Sequence, residues 1–395
     1  MNKAILATLV ALASQSAFAA DNGNGRLSGK AGAAWATGDF VDGALLNPSL
    51  AANFKAEDDF ALNLNLGAFA TDPDDLIENV DDLDDLLDKY EGNGYNSTAG
   101  YRTSLDSDDA EKINELLQDI DGSAAYVEGG ASIAVAIPNQ VLAATAFARA
   151  SLTGSFIPDI SDSDFTLIEN SVDAPFSSDE LTSEVTTVGA LVTEYGVALG
   201  KRLSWREEGD LLVGVTPKMV DVETFYYRDN VNDFDVDEIE DNHEDYTYSS
   251  DFFSLDAGAT YLKGPMSYAL VLNNIIGKDV KTVVEGETLS IKPQAVAAVG
   301  YDIEWFNAEA ALDLMPAENF ALHDDVQQLR VGAEFGANYW AQLRLGYKTD
   351  LEGTLEDTYS IGVGLSPFNV VNLDIALTAG DKNTYGGALQ LGMRF

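Results

Sequence analysis

The last twelve residues of the chain alternate between large and small or polar side chains. Tyr385, Gly387, Leu389, Leu391, Met393 and Phe395 fall on one face, and Thr384, Gly386, Ala388, Gln390, Gly392 and Arg394 fall on the other. A period of two with apolar residues on one side predicts a half-buried β-strand. Such a strand fits either the edge of a soluble sandwich or the wall of a closed barrel.

The same alternation predicts fourteen strands, whose connections separate by length. The strands are expected at 58–70, 124–137, 140–155, 184–203, 209–227, 247–263, 265–277, 290–303, 305–315, 326–337, 339–350, 356–367, 369–380 and 384–395. Short links follow the even strands, and the long links, 71–123, 156–183, 228–246, 278–289 and 316–325, follow odd strands. Short turns on one side and long loops on the other predict an all-β, up-and-down antiparallel transmembrane barrel of about 14 strands, because a sandwich has no reason to sort its loops.

Composition and targeting signals favour a barrel in the outer membrane of a Gram-negative bacterium. Residues 1–19 read as a signal peptide, with Lys3, a short apolar run and an Ala17-Phe18-Ala19 cleavage site, so the mature chain should begin at Ala20. Hydrophobic residues make up 46% of the chain, but no later run of about 18 apolar residues could form a membrane helix. The closing Phe395 is typical of such barrels and is the candidate signal for the barrel-assembly machinery. Membrane lipid is the other expected partner.

Charge and cysteine content exclude several classes of function. The chain has 66 acidic and 22 basic residues, for a net charge of −44, which argues against nucleic acid as a direct partner. It has no cysteine, so disulfides, thiol nucleophiles and cysteine–metal sites are excluded.

The segment 71–123 breaks the alternation and predicts an acidic helical hairpin in the first external loop. Asp72 and Pro73 are suitable residues to begin a helix. Apolar stripes of helical period follow at Leu76, Ile77, Val80, Leu83, Leu86, Leu87 and Tyr90, and at Ile113, Leu116, Leu117 and Ile120. Either the two stripes bury each other, or they form an apolar lid over the barrel mouth. In the second case Leu76, Val80, Leu83, Leu87, Ile113 and Leu117 are candidate contacts for a hydrophobic ligand.

Residues 20–55 lack sustained alternation and are rich in small side chains. Gly29 and Gly32 lie in a Gly/Ala-rich opening, and Asn47-Pro48 follows, with Ser49 in third place. This arrangement resembles the N-terminal hatch of the FadL-type outer-membrane transporters, although alanine usually follows the Asn-Pro pair there. The resemblance implies a hatch at 20–55 inside a 14-stranded barrel at 56–395. It also implies a passive channel for small hydrophobic solutes.

Within that superfamily, the length, the early acidic hairpin and the closing strands most resemble the TraF-like barrels of plasmid-transfer operons. This resemblance implies an alternative function. The chain would then be a structural outer-membrane component tied to conjugal transfer, which meets the conjugation apparatus through its acidic external loops.

Alternation also predicts which charged side chains face the lumen. Arg330, Glu334, Arg344, Lys348, Asp374 and Arg394 should point inward from neighbouring strands, with Glu309 and Asp313 nearby. The two interpretations are a mixed-charge network that braces the wall and seats a plug, and a polar permeation path. Charges of both signs argue against strong ion selectivity.

Catalysis and cofactor binding find little support. His243 and His323 fall in external loops beside acidic residues, without an activated serine motif, so neither an enzyme nor a cofactor is expected. Asp233, Asp235, Asp237, Asp241 and Glu244 have the spacing of a calcium loop, but Glu238 occupies the glycine position. We therefore expect no dedicated metal site, and treat loose divalent-cation bridging by these acids as the only metal-binding candidate.

Overall fold

The computed structural model describes residues 23–91, 104–204, 209–231, 242–336, 340–367 and 370–395. Within these ranges fourteen strands form one closed antiparallel barrel, in chain order apart from two small hairpins set into loops. The predicted barrel and its strand count are therefore confirmed. The predicted signal peptide lies outside the described residues.

The barrel strands lie close to their predicted positions. They are β1 (Ala61–Thr71), β2 (Ala125–Ile137), β3 (Ala143–Asp159), β4 (Glu184–Ser204), β5 (Asp210–Asn230), β6 (Thr247–Lys263), β7 (Met266–Asn273), β10 (Gln294–Ile303), β11 (Phe306–Asp313), β14 (Gln328–Phe335), β15 (Ala341–Asp350), β16 (Thr358–Leu365), β17 (Val371–Gly380) and β18 (Thr384–Arg394). The loop hairpins are β8 (Lys278–Lys281) with β9 (Thr288–Ile291), and β12 (Ala317–Asn319) with β13 (Asp324–Val326).

The barrel closes where β1 pairs with β18. Their register places Leu64 opposite Leu391 and Thr71 opposite Thr384. The Phe395 N–H donates to the Phe60 carbonyl at 2.8 Å, and the Asp59 N–H donates to the Phe395 carbonyl at 2.7 Å, which extends the seam beyond the strands. Closure leaves the barrel sheet without an unpaired edge.

Outward-facing side chains form an exposed apolar band. Leu66, Ile361 and Leu377 are each at least 50% exposed. Exposed aromatic residues border the band at both ends: Trp305, Trp340 and Phe395 at the short-turn end, and Tyr359 and Tyr385 at the long-loop end. A continuous apolar surface with aromatic borders is what a lipid-facing barrel wall requires.

The N-terminal segment, residues 23–55, contains two short helices and a 3-10 turn. They are α1 (Gly25–Ser28), α2 (Asp42–Leu46) and the turn Pro48–Ala52. Asn24 caps α1, because its side chain accepts from the Arg26 and Leu27 N–H groups.

The predicted acidic hairpin is present, but it packs on the outside of the wall. Helices α3 (Leu76–Glu91) and α4 (Ser107–Ile120) pack together with α5 (Asp162–Asn170) in one helical cluster. Leu76, Val80 and Ile120 are buried against Phe156 and Val185. Ser155 faces the lumen, because its hydroxyl bonds to the loop inside the mouth. By strand alternation, its neighbour Phe156 and Val185 on the adjacent strand therefore point away from the lumen.

The idea of a lid over the mouth is therefore wrong. The two helices bury their stripes partly against each other, as the alternative prediction had it, and partly against the barrel exterior. Among the described residues, we find no helix with the length and apolar character needed to cross a membrane.

Candidate functional site: an occupied lumen

The N-terminal segment lies inside the barrel and is almost entirely buried. Leu27 and Phe40 are each 1% exposed and Leu50 is fully buried. Gly32, at φ +78°, takes a left-handed conformation that permits the tight turn after α1. Apart from the bond of the Asp58 N–H to the Lys55 carbonyl at its end, backbone hydrogen bonds of residues 23–55 stay within the segment, and its bonds to the wall involve side chains.

Inward-facing glycines let the segment approach the wall closely. A Cβ at Gly332 would lie 2.5 Å from the Lys30 carbonyl oxygen, and one at Gly29 would lie 3.1 Å from the Cα of Gly362. The set of wall glycines in such contact is Gly130, Gly200, Gly214, Gly258, Gly300, Gly332, Gly346 and Gly362. Sequence reasoning missed this surface. Its signal is the presence of glycines that face one another across paired strands, as Gly332 faces Gly346.

The Asn47-Pro48 motif docks the segment against β6 and β5. Asn47 Nδ2 donates to the Trp35 carbonyl at 2.7 Å and to Thr260 Oγ1 at 2.9 Å, and its Oδ1 accepts from the Ser49 N–H at 3.0 Å. Pro48 begins the 3-10 turn, with its carbonyl against Gly214. The Ser49 hydroxyl lies 2.8 Å from Thr260 Oγ1, so serine in place of the usual alanine adds a contact with the wall.

Three of the expected lumenal charges meet in one buried cluster. Arg344, 2% exposed, donates from Nε to Glu334 at 2.5 Å and from Nη1 to Asp374 at 2.6 Å. Arg26 of the N-terminal segment donates to the other Glu334 oxygen at 3.2 Å. The wall cluster thus continues directly into the segment.

Asp39 links this cluster to the last strand. Its carboxylate accepts from Arg26 and from Arg394, each at 2.7 Å. Burial disfavours the charged form of Asp39, but the guanidinium groups of Arg26 and Arg394 outweigh it and lower the pKa of Asp39 to about 2. Asp39 is therefore a charged bridge between the segment and β18 at neutral pH.

The other expected lumenal cations lie away from this cluster. Arg330 pairs with Asp313 at 2.7 Å, and the Lys348 ammonium lies 5.7 Å from the centroid of the Phe69 ring. Both side chains line the long-loop end of the lumen.

Glu309 makes the most concentrated contact between wall and segment. Its carboxylate accepts from the N–H groups of Trp35 at 2.6 Å, Ala36 at 3.0 Å and Thr37 at 2.7 Å, and from the Thr37 hydroxyl at 2.8 Å. Alternation placed Glu309 in the lumen, but its role as an acceptor for three successive backbone groups carries no sequence signal. Lys30 adds a neighbouring bond to Asn307 Oδ1 at 2.8 Å.

Two loops fold inward and cover the mouth. Val280, Leu289 and Ile291 of the β8–β9 hairpin are buried with Phe320 against inward side chains of β4 and β5. In the loop carrying β12 and β13, Asn319 donates to the Tyr126 hydroxyl at 3.1 Å, and Ala321 accepts from Ser155. These loops, rather than the external hairpin, close the long-loop end.

The segment separates two cavities. The larger, about 810 Å³, lies at the short-turn end and is lined by charged groups that include Arg26, Asp39 and Arg394. The smaller, about 330 Å³, lies between the segment and the inward loops and is lined in part by Trp35, Leu289 and Phe320. The segment therefore lies between the two cavities.

The weaker sequence candidates are scattered. His243 lies 3.7 Å from Glu223 on the exposed outer side, and His323 lies beside the Phe320 ring, 6.0 Å between centroids. Asp233, Asp235 and Asp237 lie outside the described residues, whereas Glu244 is exposed in the short helix α6 (His243–Tyr246). In the part of the chain that the structure describes, no group of three or more potential ligands could hold a metal ion.

These features define the protein as a closed, fourteen-stranded antiparallel β-barrel whose N-terminal segment lies in the lumen. Residues 44–313 match the model of the family described as "F plasmid transfer operon, TraF, protein", and the chain belongs to that family. The resemblance to TraF-like barrels is thereby confirmed. A search of curated proteins finds no match.

Solved structures similar to the chain include a FadL homologue and two toluene transporters. A Pseudomonas aeruginosa FadL homologue is 11% identical, with 96% of this chain and 99% of that chain covered and a TM-score of 0.49. The toluene transporter TbuX of Ralstonia pickettii is 9% identical, with 95% and 99% covered and a TM-score of 0.48. The toluene transporter TodX of Pseudomonas putida is 11% identical, with 95% and 96% covered and a TM-score of 0.44.

Proposed function

We propose that this protein is a gated outer-membrane channel for the passive movement of small hydrophobic solutes. The observation that carries the proposal is the N-terminal segment, which divides the lumen into two cavities and is attached to the wall through side chains. A segment held in this way can leave its seat without breaking the sheet. A barrel with a purely structural role would not need a releasable segment in its lumen with a cavity on either side of it.

The lining favours uncharged solutes over ions. The lumenal cations Arg344, Arg394 and Arg330 each contact a carboxylate at 2.7 Å or less. Ion selectivity needs a ring of one sign, whereas neutralised pairs present little net field to a permeating ion. The inward loops add apolar side chains at the long-loop end.

The exposed apolar band suits membrane lipid, and outer-membrane barrels carry short turns on the periplasmic side. We therefore infer that the long loops face outward and the 810 Å³ cavity faces the periplasm. Phe395 lies on the closing seam with its side chain 59% exposed, a position suited to recognition by the barrel-assembly machinery.

Single-channel conductance in a planar bilayer tests the gate. We would compare the mature barrel with a variant lacking residues 20–55. The proposal expects a closed wild type and a variant that conducts, because removal of the segment joins the two cavities. Absence of conductance in both would overturn it.

Membership of the TraF family favours a second candidate, a structural role in conjugal transfer. The helical cluster on the barrel exterior supports it, since α3 turns exposed acids such as Asp81, Asp82 and Asp85 away from the wall. A partner with a basic surface would fit this face. Replacing 74–121 by a short turn should then reduce mating frequency while leaving conductance unchanged, and unchanged mating would refute this role.

A further inference from the structure

The closed ring of strands has no free edge, but β6 continues past its neighbour β7 at the long-loop end. Strand β5 pairs with β6 as far as Thr247, whereas the pairing with β7 stops at Ala257. In the described part of the chain, residues 247–256 of β6 therefore have a paired strand on one side only. A strand in this situation offers a row of backbone N–H and C=O groups to another chain.

Two hydrogen bonds show which residues of β6 face this free side. The Ile275 N–H donates to the Leu255 carbonyl at 2.9 Å, and Lys278 Nζ donates to the Asp251 carbonyl at 2.9 Å. Because the backbone groups of successive strand residues point to opposite sides, those of the odd-numbered residues here face away from β5. We call this row the β6 edge, and it consists of Thr247, Ser249, Asp251 and Phe253.

The side chains of the β6 edge lie on the outer face of the sheet. Their even-numbered neighbours point inward, since Phe252 packs with the inward loops and Ser254 Oγ donates to the Ile276 carbonyl at 2.8 Å. Alternation therefore turns Asp251 and Phe253 outward, and both are exposed. Another chain can reach this face without entering the lumen.

Acidic side chains surround the β6 edge on this outer face. Asp251 lies directly opposite Asp221 of β5, and both are exposed. Ser249 donates to Glu223 at 3.2 Å, and Glu244 is exposed in α6, which leads into β6. Like charges directly opposite one another destabilise a sheet, so a cation on an added strand would relieve the Asp221–Asp251 pair.

This charge selects the kind of partner. The chain has a net charge of −44, so a second copy would bring more acids to the β6 edge. The Lys278 ammonium on the Asp251 carbonyl shows that a cation is already held there. A basic segment therefore complements the β6 edge, and an acidic one does not.

We propose that the β6 edge binds an extended segment of a partner protein, with lysine or arginine at alternate positions, as an added antiparallel strand. The residue opposite Asp251 exchanges backbone hydrogen bonds with it, which displaces Lys278 Nζ from the Asp251 carbonyl. Its side chain then lies on the outer face beside the Asp251 carboxylate. Backbone bonds supply the affinity and the alternate cations supply the specificity. The inference goes beyond the proposed channel, because this binding does not require the lumen to open.

The test measures fluorescence anisotropy with the full mature protein in detergent micelles. The probe is a short fluorescein-labelled peptide that alternates threonine and lysine. Two methylated forms separate strand pairing from charge attraction: with the lysines on the outer face, the lysine N–H groups face β6 and the threonine N–H groups face away. N-methylation of the lysines should weaken binding by at least about tenfold, whereas N-methylation of the threonines should leave it unchanged.

Variants of the protein test the same edge from the other side. Ser249→Pro removes one N–H from the β6 edge without removing a bond to β5, and it should weaken peptide binding by about tenfold. Ser249→Ala is the matched control, because it also loses the hydroxyl bond to Glu223 but keeps the N–H, and it should bind as the wild type does. Lys278→Met frees the Asp251 carbonyl and should tighten binding by about threefold.

Two results would overturn the proposal. Equal binding of the two methylated peptides, or wild-type binding by Ser249→Pro, would show that charge alone attracts the peptide. A mature protein that dimerises in micelles and becomes monomeric in Ser249→Pro would instead assign the β6 edge to a second copy of the chain. The methylated peptides decide the matter even if Ser249→Pro does not fold.

Discussion

The bond pattern of Glu309 makes a quantitative prediction about how firmly the N-terminal segment is seated. In Glu309→Gln, the amide oxygen can replace the carboxylate oxygen that accepts from Ala36 and Thr37. The amide nitrogen then faces the Trp35 N–H, which loses its only acceptor in this contact. One unpaired buried donor costs about 1–3 kcal/mol, and the loss of charge from the other bonds adds roughly 1 kcal/mol.

A weakening of about 3 kcal/mol corresponds to roughly a hundredfold rise in local opening. Hydrogen exchange measured by mass spectrometry reports such opening for peptides that cover residues 30–46. We expect their exchange to accelerate about a hundredfold, with the barrel strands unchanged. Exchange is the suitable assay because the affected groups are themselves backbone amides.

Asp256→Asn is the matched control for this change. Asp256 is also buried in the wall, but its carboxylate contacts Lys218 at 2.9 Å and the Asn274 N–H at 2.8 Å, not the segment. An acceleration of less than about threefold in Glu309→Gln would refute the reasoning. So would an equal acceleration in both variants, because the effect would then be general loosening of the barrel.

Three further predictions concern the wall, the charged bridge and the exterior helices. Gly346→Val should unseat the segment by about 1–3 kcal/mol of overpacking and expose it to limited proteolysis, whereas Gly387→Val on the outer face should not. Because the pKa of Asp39 is depressed to about 2, its stabilisation is complete above about pH 4 and is lost as pH falls toward 2. Channel opening should therefore rise across that interval, and Asp39→Asn should open the channel at neutral pH. Val80→Asp should detach the helical cluster at a cost of roughly 3 kcal/mol in thermal unfolding, without opening the channel, whereas Asp81→Asn should change neither.

Strand positions were predictable because alternation is a local signal that carries two kinds of information: where a strand lies and which of its residues face inward. Each strand of the barrel must show one face to lipid and one to the lumen, so the pattern in Val371–Gly380 or Thr384–Arg394 identifies both the strand and its inward residues. The pairing of Arg344 with Glu334 follows from the same rule, since inward residues of adjacent strands must be neighbours. The contact of Arg344 with Asp374 does not, because β16 lies between their strands.

The location of the helical hairpin was not predictable by this route. An apolar stripe such as Leu76, Val80 and Leu83 shows only that one helix face is buried. It does not tell which surface covers it, and both the mouth and the outer wall were available. The decision depends on Phe156 and Val185, whose strands extend far enough for outward apolar residues to meet the helices rather than lipid.

The closing loops escaped prediction for a related reason. Val280, Leu289 and Ile291 are few and lie within short strands of their own, so nothing local distinguishes a loop that folds inward from one that projects into solvent. Their burial depends on inward valines of β4 and β5 that are distant in sequence.

The way the segment is held differs from the way a core strand is held, and this difference supports the proposed gate. A core strand would be fixed by a ladder of backbone bonds, and its release would leave many polar groups unpaired at once. The segment instead meets the wall through side chains such as Glu309 and Arg26, through contacts with glycines, and through apolar packing such as that of Leu50 against Leu212. Water entering from the 810 Å³ cavity can solvate those charges as they separate. Release of the segment would therefore break side-chain bonds and expose apolar packing, but it would leave the backbone ladder of the barrel intact, as the proposed gate requires.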